Sequence, residues 1–251
     1  MVYLSWVLAF ITGAAVGSFL NVCICRMPVG KSVIRPPSHC PDCRYRLRIF
    51  DLIPILSYLF LKGKCRYCGR RIAWQDPVVE LVTGLLFVLA LAKYGITFGV
   101  LRPVVLFAVI VPATVFDLRY KIIPDELNLA GLVLGVPLMF ESKEALFSCV
   151  IGFLAGGALL FVIALVSRGG MGGGDIKLAA VLGLLLGWKQ LLIALFLAFA
   201  AGSVAGMTML MLKLARLKEP IPFGPYLALG SAFAILAGDK VIKWYLGFCR
   251  W

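Results

Sequence analysis

Four cysteines stand as two close pairs, Cys40-Pro-Asp-Cys43 and Cys65-Arg-Tyr-Cys68, with 21 residues between them. Two such pairs suit four thiolates around one tetrahedral Zn²⁺, because each short spacer lets both of its sulfurs face the same ion. Gly69, directly after the second pair, permits the tight knuckle turn. Arg44, Arg66 and Arg70 set positive charge against the thiolates and favour their ionisation. Two disulfides or a doubled redox motif are the alternatives; a reducing compartment disfavours the first, and redox pairs rarely come doubled. His39, beside Cys40, is the one histidine of the chain and reads as a bystander to a filled shell. Its solitude excludes any mechanism built on several imidazoles. Cys23, Cys25, Cys149 and Cys249 lie in or beside apolar stretches and read as small core residues.

A second chemistry lies in two carboxylates. Asp117 ends an apolar run in Val115-Phe-Asp-Leu-Arg-Tyr-Lys-Ile-Ile-Pro124, and Asp175 ends the glycine run Gly169-Gly-Met-Gly-Gly-Gly-Asp175. Carboxylates at membrane depth are costly and mark functional sites. Two that meet share one proton, so that one acts as base toward water and the other as acid toward a carbonyl. The bland reading makes both interfacial residues neutralised by Arg119 and Lys177. Asp125 and Glu126 follow Pro124 and read as helix-start residues. Glu80, one turn inside an apolar run, needs a partner, and Arg70 or Arg71 is within reach in sequence.

The elements that position these groups are membrane helices. Of 251 residues, 62% are hydrophobic and 15% charged, and the mean hydropathy is +0.99. That excludes a water-soluble enzyme and a disordered chain. Val2–Cys25, Ala145–Ser167 and Gln190–Leu212 are uncharged runs, each longer than the roughly 20 residues a bilayer requires. Pro220–Gly238 and Pro77–Ala92 come close, and Pro103–Phe116, Leu127–Phe140 and Leu178–Trp188 complete an expected eight spans. The first run is too long for a cleaved signal and lacks a basic start. The sequence therefore predicts an all-α polytopic fold: a first helix over 1–25, a polar tetracysteine domain over 26–76, and a helical core over 77–251.

The net charge of +13 belongs to loops rather than to a nucleic-acid footprint. Segments 26–76, 117–124, 168–177 and 213–219 hold 18 of the 25 Lys and Arg and fall on one side of an eight-span chain. The positive-inside rule makes that side cytoplasmic and puts the N-terminus outside. Parity then sets the cysteine loop, Asp117 and Asp175 on one face.

With those motifs in order, the sequence resembles the bacterial type IV prepilin peptidases, bifunctional leader peptidases and N-methyltransferases. The likeness runs through Gly17-Ser-Phe-Leu-Asn-Val22, the paired cysteines with Ile53-Pro-Ile-Leu-Ser-Tyr58 between them, and Pro77-Val-Val-Glu80. It continues through Asp117 with Ile123-Pro-Asp125, and ends in Gly172-Gly-Gly-Asp175, the GxGD signature of intramembrane aspartyl proteases. Leu52 stands where the family usually has Asn, and Asp76 where it usually has Tyr. The resemblance implies an inner-membrane aspartic peptidase with Asp117 and Asp175 as the catalytic pair. It would remove a basic leader after glycine from a prepilin or pseudopilin, then methylate the new α-amine from S-adenosylmethionine. Cys40, Cys43, Cys65 and Cys68 would hold Zn²⁺, and Glu80 and Gly84 would serve methyl transfer. The expected partners are the substrate helix and the phospholipid bilayer, with no nucleic acid. A peptidase without methyltransferase activity, or an ion carrier on a zinc scaffold, are the other readings.

Overall fold

The structure is a computed structural model that describes residues 2–167, 170–212 and 222–248. Arg168, Gly169, the 213–219 loop and Cys249 lie outside the described residues. All regular elements described are helical, as the expected class requires. Contacts divide the chain into two units, Met1–Val100 and Leu101–Trp251.

In the first unit, α1 (Val2–Arg26) packs along α3 (Gln75–Tyr94). Both are apolar around most of their circumference, so hydrophobicity does not choose the contact face; small residues do. A Cβ at Gly17 would stand 2.8 Å from the Glu80 Cα, and one at Gly13 would stand 2.9 Å from the Gly84 Cα. The Asn21 side-chain amide donates to the Asp76 carbonyl at 2.9 Å, locking the end of α1 to the start of α3. The polar insertion between them holds two 3-10 turns (Met27–Val29 and Ile49–Leu52), the short α2 (Leu56–Phe60) and the cysteine knuckles.

The second unit consists of α4 (Leu101–Tyr120), α5 (Asp125–Gly135) with a 3-10 extension to Glu141, α6 (Lys143–Val166), α7 (Gly173–Leu186), α8 (Trp188–Met211) and α9 (Gly224–Phe248). Its centre is α7, buried on every side from Val181 to Leu186 and in contact with all five other helices. Such a helix must be apolar throughout. Close approach to α6 runs through glycines: a Cβ at Gly152 would collide with the Gly183 carbonyl, and one at Gly156 with that of Ala179. Arg102 closes the opposite end, donating to the Leu138 carbonyl at 2.9 Å and pairing with Glu141 at 3.5 Å.

Six described helices are long and apolar enough to cross a bilayer. Their outward faces carry large apolar groups such as Phe147 and Phe196, the pattern of a lipid-facing surface. Each of the eight expected segments is mainly helical among the described residues, but two are short. The 11 residues of α5 and 14 of α7 rise about 17 Å and about 21 Å, against ~30 Å of hydrocarbon. Cys23 and Cys149 are buried as expected, whereas Cys25 is exposed. It lies one turn past Asn21, which already meets the first residues of α3, so α3 no longer covers it.

Candidate active site and metal centre

The two cysteine pairs fold into matching knuckles. In each, the amide after the second cysteine donates to the carbonyl of the first: Arg44 to Cys40 and Gly69 to Cys65, both at 2.9 Å. In each, the first cysteine's amide returns to a carbonyl five residues on, Tyr45 at 3.0 Å and Arg70 at 2.7 Å. This turn needs a left-handed residue after the second cysteine. Gly69 takes it at φ 72°, and Arg44 takes the equivalent position at φ 57°. The four Sγ atoms lie within 4.8 Å of one another, with Cys40 and Cys68 at 3.9 Å. Tetrahedral zinc with Zn–S bonds of ~2.3 Å sets its sulfurs about 3.8 Å apart, so the donor set fits that ion.

Electrostatics set Cys65 and Cys68 apart. Amides of Cys68 and Tyr67 point at Cys65 and bring its thiol down to about 7. Against the Arg70 amide, burial and the neighbouring sulfurs push Cys68 up to about 11. The arginines, expected to face the thiolates, are partly spent elsewhere. Arg66 Nε donates to Asp51 at 2.7 Å, and Arg70 pairs with Asp42 at 3.5 Å. His39 stays outside the sulfur cluster, its Nδ1 donating to the Pro37 carbonyl at 2.9 Å.

Asp51 escaped the sequence reading. Its buried carboxylate accepts from Arg66, from the Arg48 amide at 3.1 Å and from the Tyr67 hydroxyl at 3.2 Å. Burial works against the charge, but those three donors hold the carboxyl below its usual range. Arg66 and Tyr67 are the two residues inside the second CxxC, so Asp51 braces that knuckle directly, while Tyr67 stacks on Tyr45 of the first at 3.8 Å.

Glu80, buried on α3, is not paired with Arg70 or Arg71. Its Oε2 accepts the Ile55 amide at 2.7 Å, and the Ser18 hydroxyl is a second partner. Ile55 sits at φ 62°, a costly conformation for a β-branched residue. Glu80 therefore pins the Ile53-Pro-Ile55 segment to the helix through backbone rather than through a cation. Gly84 is explained by packing: a Cβ there would meet the Phe10 ring at 2.8 Å.

In the second unit, Asp117 lies near the end of α4, 5% exposed. Its Oδ2 accepts the amide of Gly224, the first residue of α9, at 2.6 Å. Lys121, in the left-handed conformation that ends α4, is within electrostatic reach of it. Asp175 lies in the first turn of α7, close enough to Asp117 to feel its charge. Its Oδ1 is buried and has no hydrogen-bond partner among the described residues. The glycine run brings α7 against the turn after α4, where a Cβ at Gly174 would stand 3.0 Å from the Ile123 Cβ. Lys177 binds Asp125, both contacts at 2.7 Å, and so does not neutralise Asp175. Gly224 was the other miss; Pro222-Phe-Gly-Pro225 at the head of an apolar run was the signal available.

One buried and one half-buried carboxylate within one helical membrane unit, in a chain that also carries a four-sulfur knuckle domain, define a class: polytopic aspartic peptidases with a metal-binding insertion. Comparison with known proteins agrees. Residues 11–94 match the bacterial Peptidase A24 N-terminal domain, and residues 104–207 match the type IV leader peptidase family. A prepilin leader peptidase/N-methyltransferase of Bacillus subtilis (strain 168) is 39% identical over 94% of this chain and 96% of that protein. Proteins of the same description from Aeromonas salmonicida (strain A449) and Pseudomonas aeruginosa are each 34% identical, over 97% and 94% of this chain and 94% and 91% of theirs. The chain belongs to the type IV leader peptidase family. No solved structure matches it.

Proposed function

We propose that this protein is a bifunctional enzyme of the bacterial inner membrane that cleaves the leader from type IV prepilins or pseudopilins and N-methylates the new terminus. The observation that carries the reading is the nearness of Asp175 to Asp117, within reach of its charge, in a helical unit built of apolar spans. The relatives' description as prepilin leader peptidase/N-methyltransferase supports the substrate and both reactions.

The peptidase step follows from a pair sharing one proton. Asp117, whose Oδ2 accepts the Gly224 amide, is assigned the base, and Asp175, held by the Gly172 amide and carrying a buried Oδ1 with no hydrogen-bond partner among the described residues, is assigned the proton. Asp117 takes a proton from water as the water oxygen attacks the scissile carbonyl carbon. Asp175 gives its proton to the carbonyl oxygen. As the tetrahedral diol collapses, the C–N bond breaks, Asp117 gives its proton to the leaving amine, and a diol hydroxyl returns its proton to Asp175 as the carboxyl product forms, so the pair regains its singly protonated state. A basic leader stays on the cytosolic side under the positive-inside rule, so the active site faces the cytoplasm.

For methylation, S-adenosylmethionine supplies the methyl group, and the acceptor must be a neutral amine; an α-amine of pKa ~8 is accessible near neutrality. Glu80 fits a cationic guest, because its carboxylate is held by an amide and a hydroxyl and no cation among the described residues cancels it. Gly84, where a Cβ would meet the Phe10 ring, keeps α1 close to α3 one turn beyond Glu80. Zn²⁺ on Cys40, Cys43, Cys65 and Cys68 would stabilise an insertion too small for a core of its own.

Mass spectrometry of a prepilin co-expressed with this protein tests the reading. A pilin that begins after the leader glycine and carries one added methyl supports it. An intact leader contradicts it, and a cleaved, unmethylated product restricts the activity to peptidase.

A further inference from the structure

The amide of Gly224 reaches Asp117 across 107 positions of sequence at 2.6 Å, the shortest donor contact of that carboxylate among the described residues. The start of a helix carries amides with no partner inside the helix, and the local sequence of α9 leaves one such amide to give away. Pro225 has none. Those of Tyr226 and Leu227 both go to the Phe223 carbonyl at 3.1 Å. Of residues 224–227, only Gly224 has an N–H free, and it is directed at Asp117 Oδ2.

The absence of a side chain matters as much as the amide. A Cβ at Gly224 would stand 2.9 Å from Asp117 Oδ2, 3.0 Å from its Cβ and 3.3 Å from its Cγ. These are the three nearest atoms, and all belong to the aspartate. Gly230, further along α9, differs: its neighbours are the backbone atoms of Ala194, the ordinary environment of a helix-packing glycine.

We propose that Gly224 is a positioning residue of the peptidase: its amide and its missing side chain fix the Asp117 carboxylate in the orientation that serves Asp175 and the attacking water. It touches neither substrate nor reacting atoms and acts through Asp117. The proposal rests on the reading of Asp117 and Asp175 as the catalytic pair.

Two variants of the full-length protein separate the two contributions. Replacing Gly224 by glycolic acid, introduced by suppressor tRNA during cell-free synthesis into nanodiscs, turns the amide into an ester; it removes the N–H and leaves the space empty. Gly224→Ala keeps the N–H and fills the space. Leader cleavage of a purified prepilin is followed at varied substrate concentration, with thermal melting as the measure of folding. The expected result is a kcat lower by about 10- to 100-fold in the ester variant, the range for losing a hydrogen bond to a charged group. KM stays within about twofold and melting stays unchanged, a split that a loosened helix contact does not produce. Gly224→Ala, if it folds, follows the same pattern. An active wild type beside an ester variant of normal kcat overturns this proposal alone, as does a loss that resides in KM. An inactive wild type overturns the catalytic reading and this proposal with it.

Discussion

Lys177 Nζ lies 2.7 Å from each carboxylate oxygen of Asp125, joining the first turns of α5 and α7 two residues beyond Asp175. The basic residue nearest Asp175 in sequence is thus committed to another partner, which keeps Asp175 available to Asp117. The pair itself is exposed, with side chains 56% and 70% accessible, and an exposed ion pair contributes at most about 1 kcal/mol. Asp125→Asn and Lys177→Gln should each lower leader cleavage by less than about fivefold. A hundredfold loss in kcat from either would place Asp125 or Lys177 in the chemistry.

Glu80→Gln is the sharpest probe of methyl transfer, because glutamine still accepts the Ile55 amide but carries no charge. The expected product is a pilin cleaved at the normal rate and left unmethylated, measured by mass spectrometry. Normal methylation, or parallel loss of both reactions, would reduce Glu80 to its structural contact with Ile55.

Zinc affinity should depend on pH in a manner set by Cys65. Its thiol is lowered from 9.0 to about 7, so its contribution to the folded knuckle is present above the unfolded value and is lost as pH falls through about 7. Metal binding must displace whatever protons remain. In competition with a chelator of known affinity, log K should therefore rise with pH throughout, and its slope should fall by about one proton as pH passes 7. A slope constant from pH 6 to 8.5, or metal-free wild type after gentle purification, would contradict the site.

Asp51→Asn should weaken zinc retention by about tenfold, the lower end of what partners of metal ligands contribute. Asp51's carboxyl is depressed in the folded state, so its contribution is complete above the ordinary carboxylate value and lost only as pH falls below it. The deficit should accordingly be equal at pH 6 and pH 8. A deficit that vanishes within that range would assign the brace to another group.

The knuckles were legible because a metal site concentrates its ligands in short segments, and the same holds for Gly172-Gly-Gly-Asp175. Contacts that join distant positions were not. Glu80 seemed to need an arginine, since charge pairs are what sequence displays; the backbone amide of Ile55 meets the need and leaves no mark in composition. Asp51 was invisible for the same reason, and Gly224 showed only as the glycine of Pro222-Phe-Gly-Pro225, with nothing to tie it to Asp117. The short α7 shows another limit: an apolar run bounded by Asp175 and Lys189 reads as a helix, but its 14 residues and its enclosure by five other helices come from packing that the run itself does not display.

Single substitutions Asp117→Asn and Asp175→Asn, each assayed for prepilin cleavage in a lipid bilayer, test the catalytic pair itself. General acid–base function of both carboxyls predicts a fall in kcat of about 100-fold or more in each variant, with melting temperature and zinc content as in wild type. Near-normal turnover in either variant would contradict it.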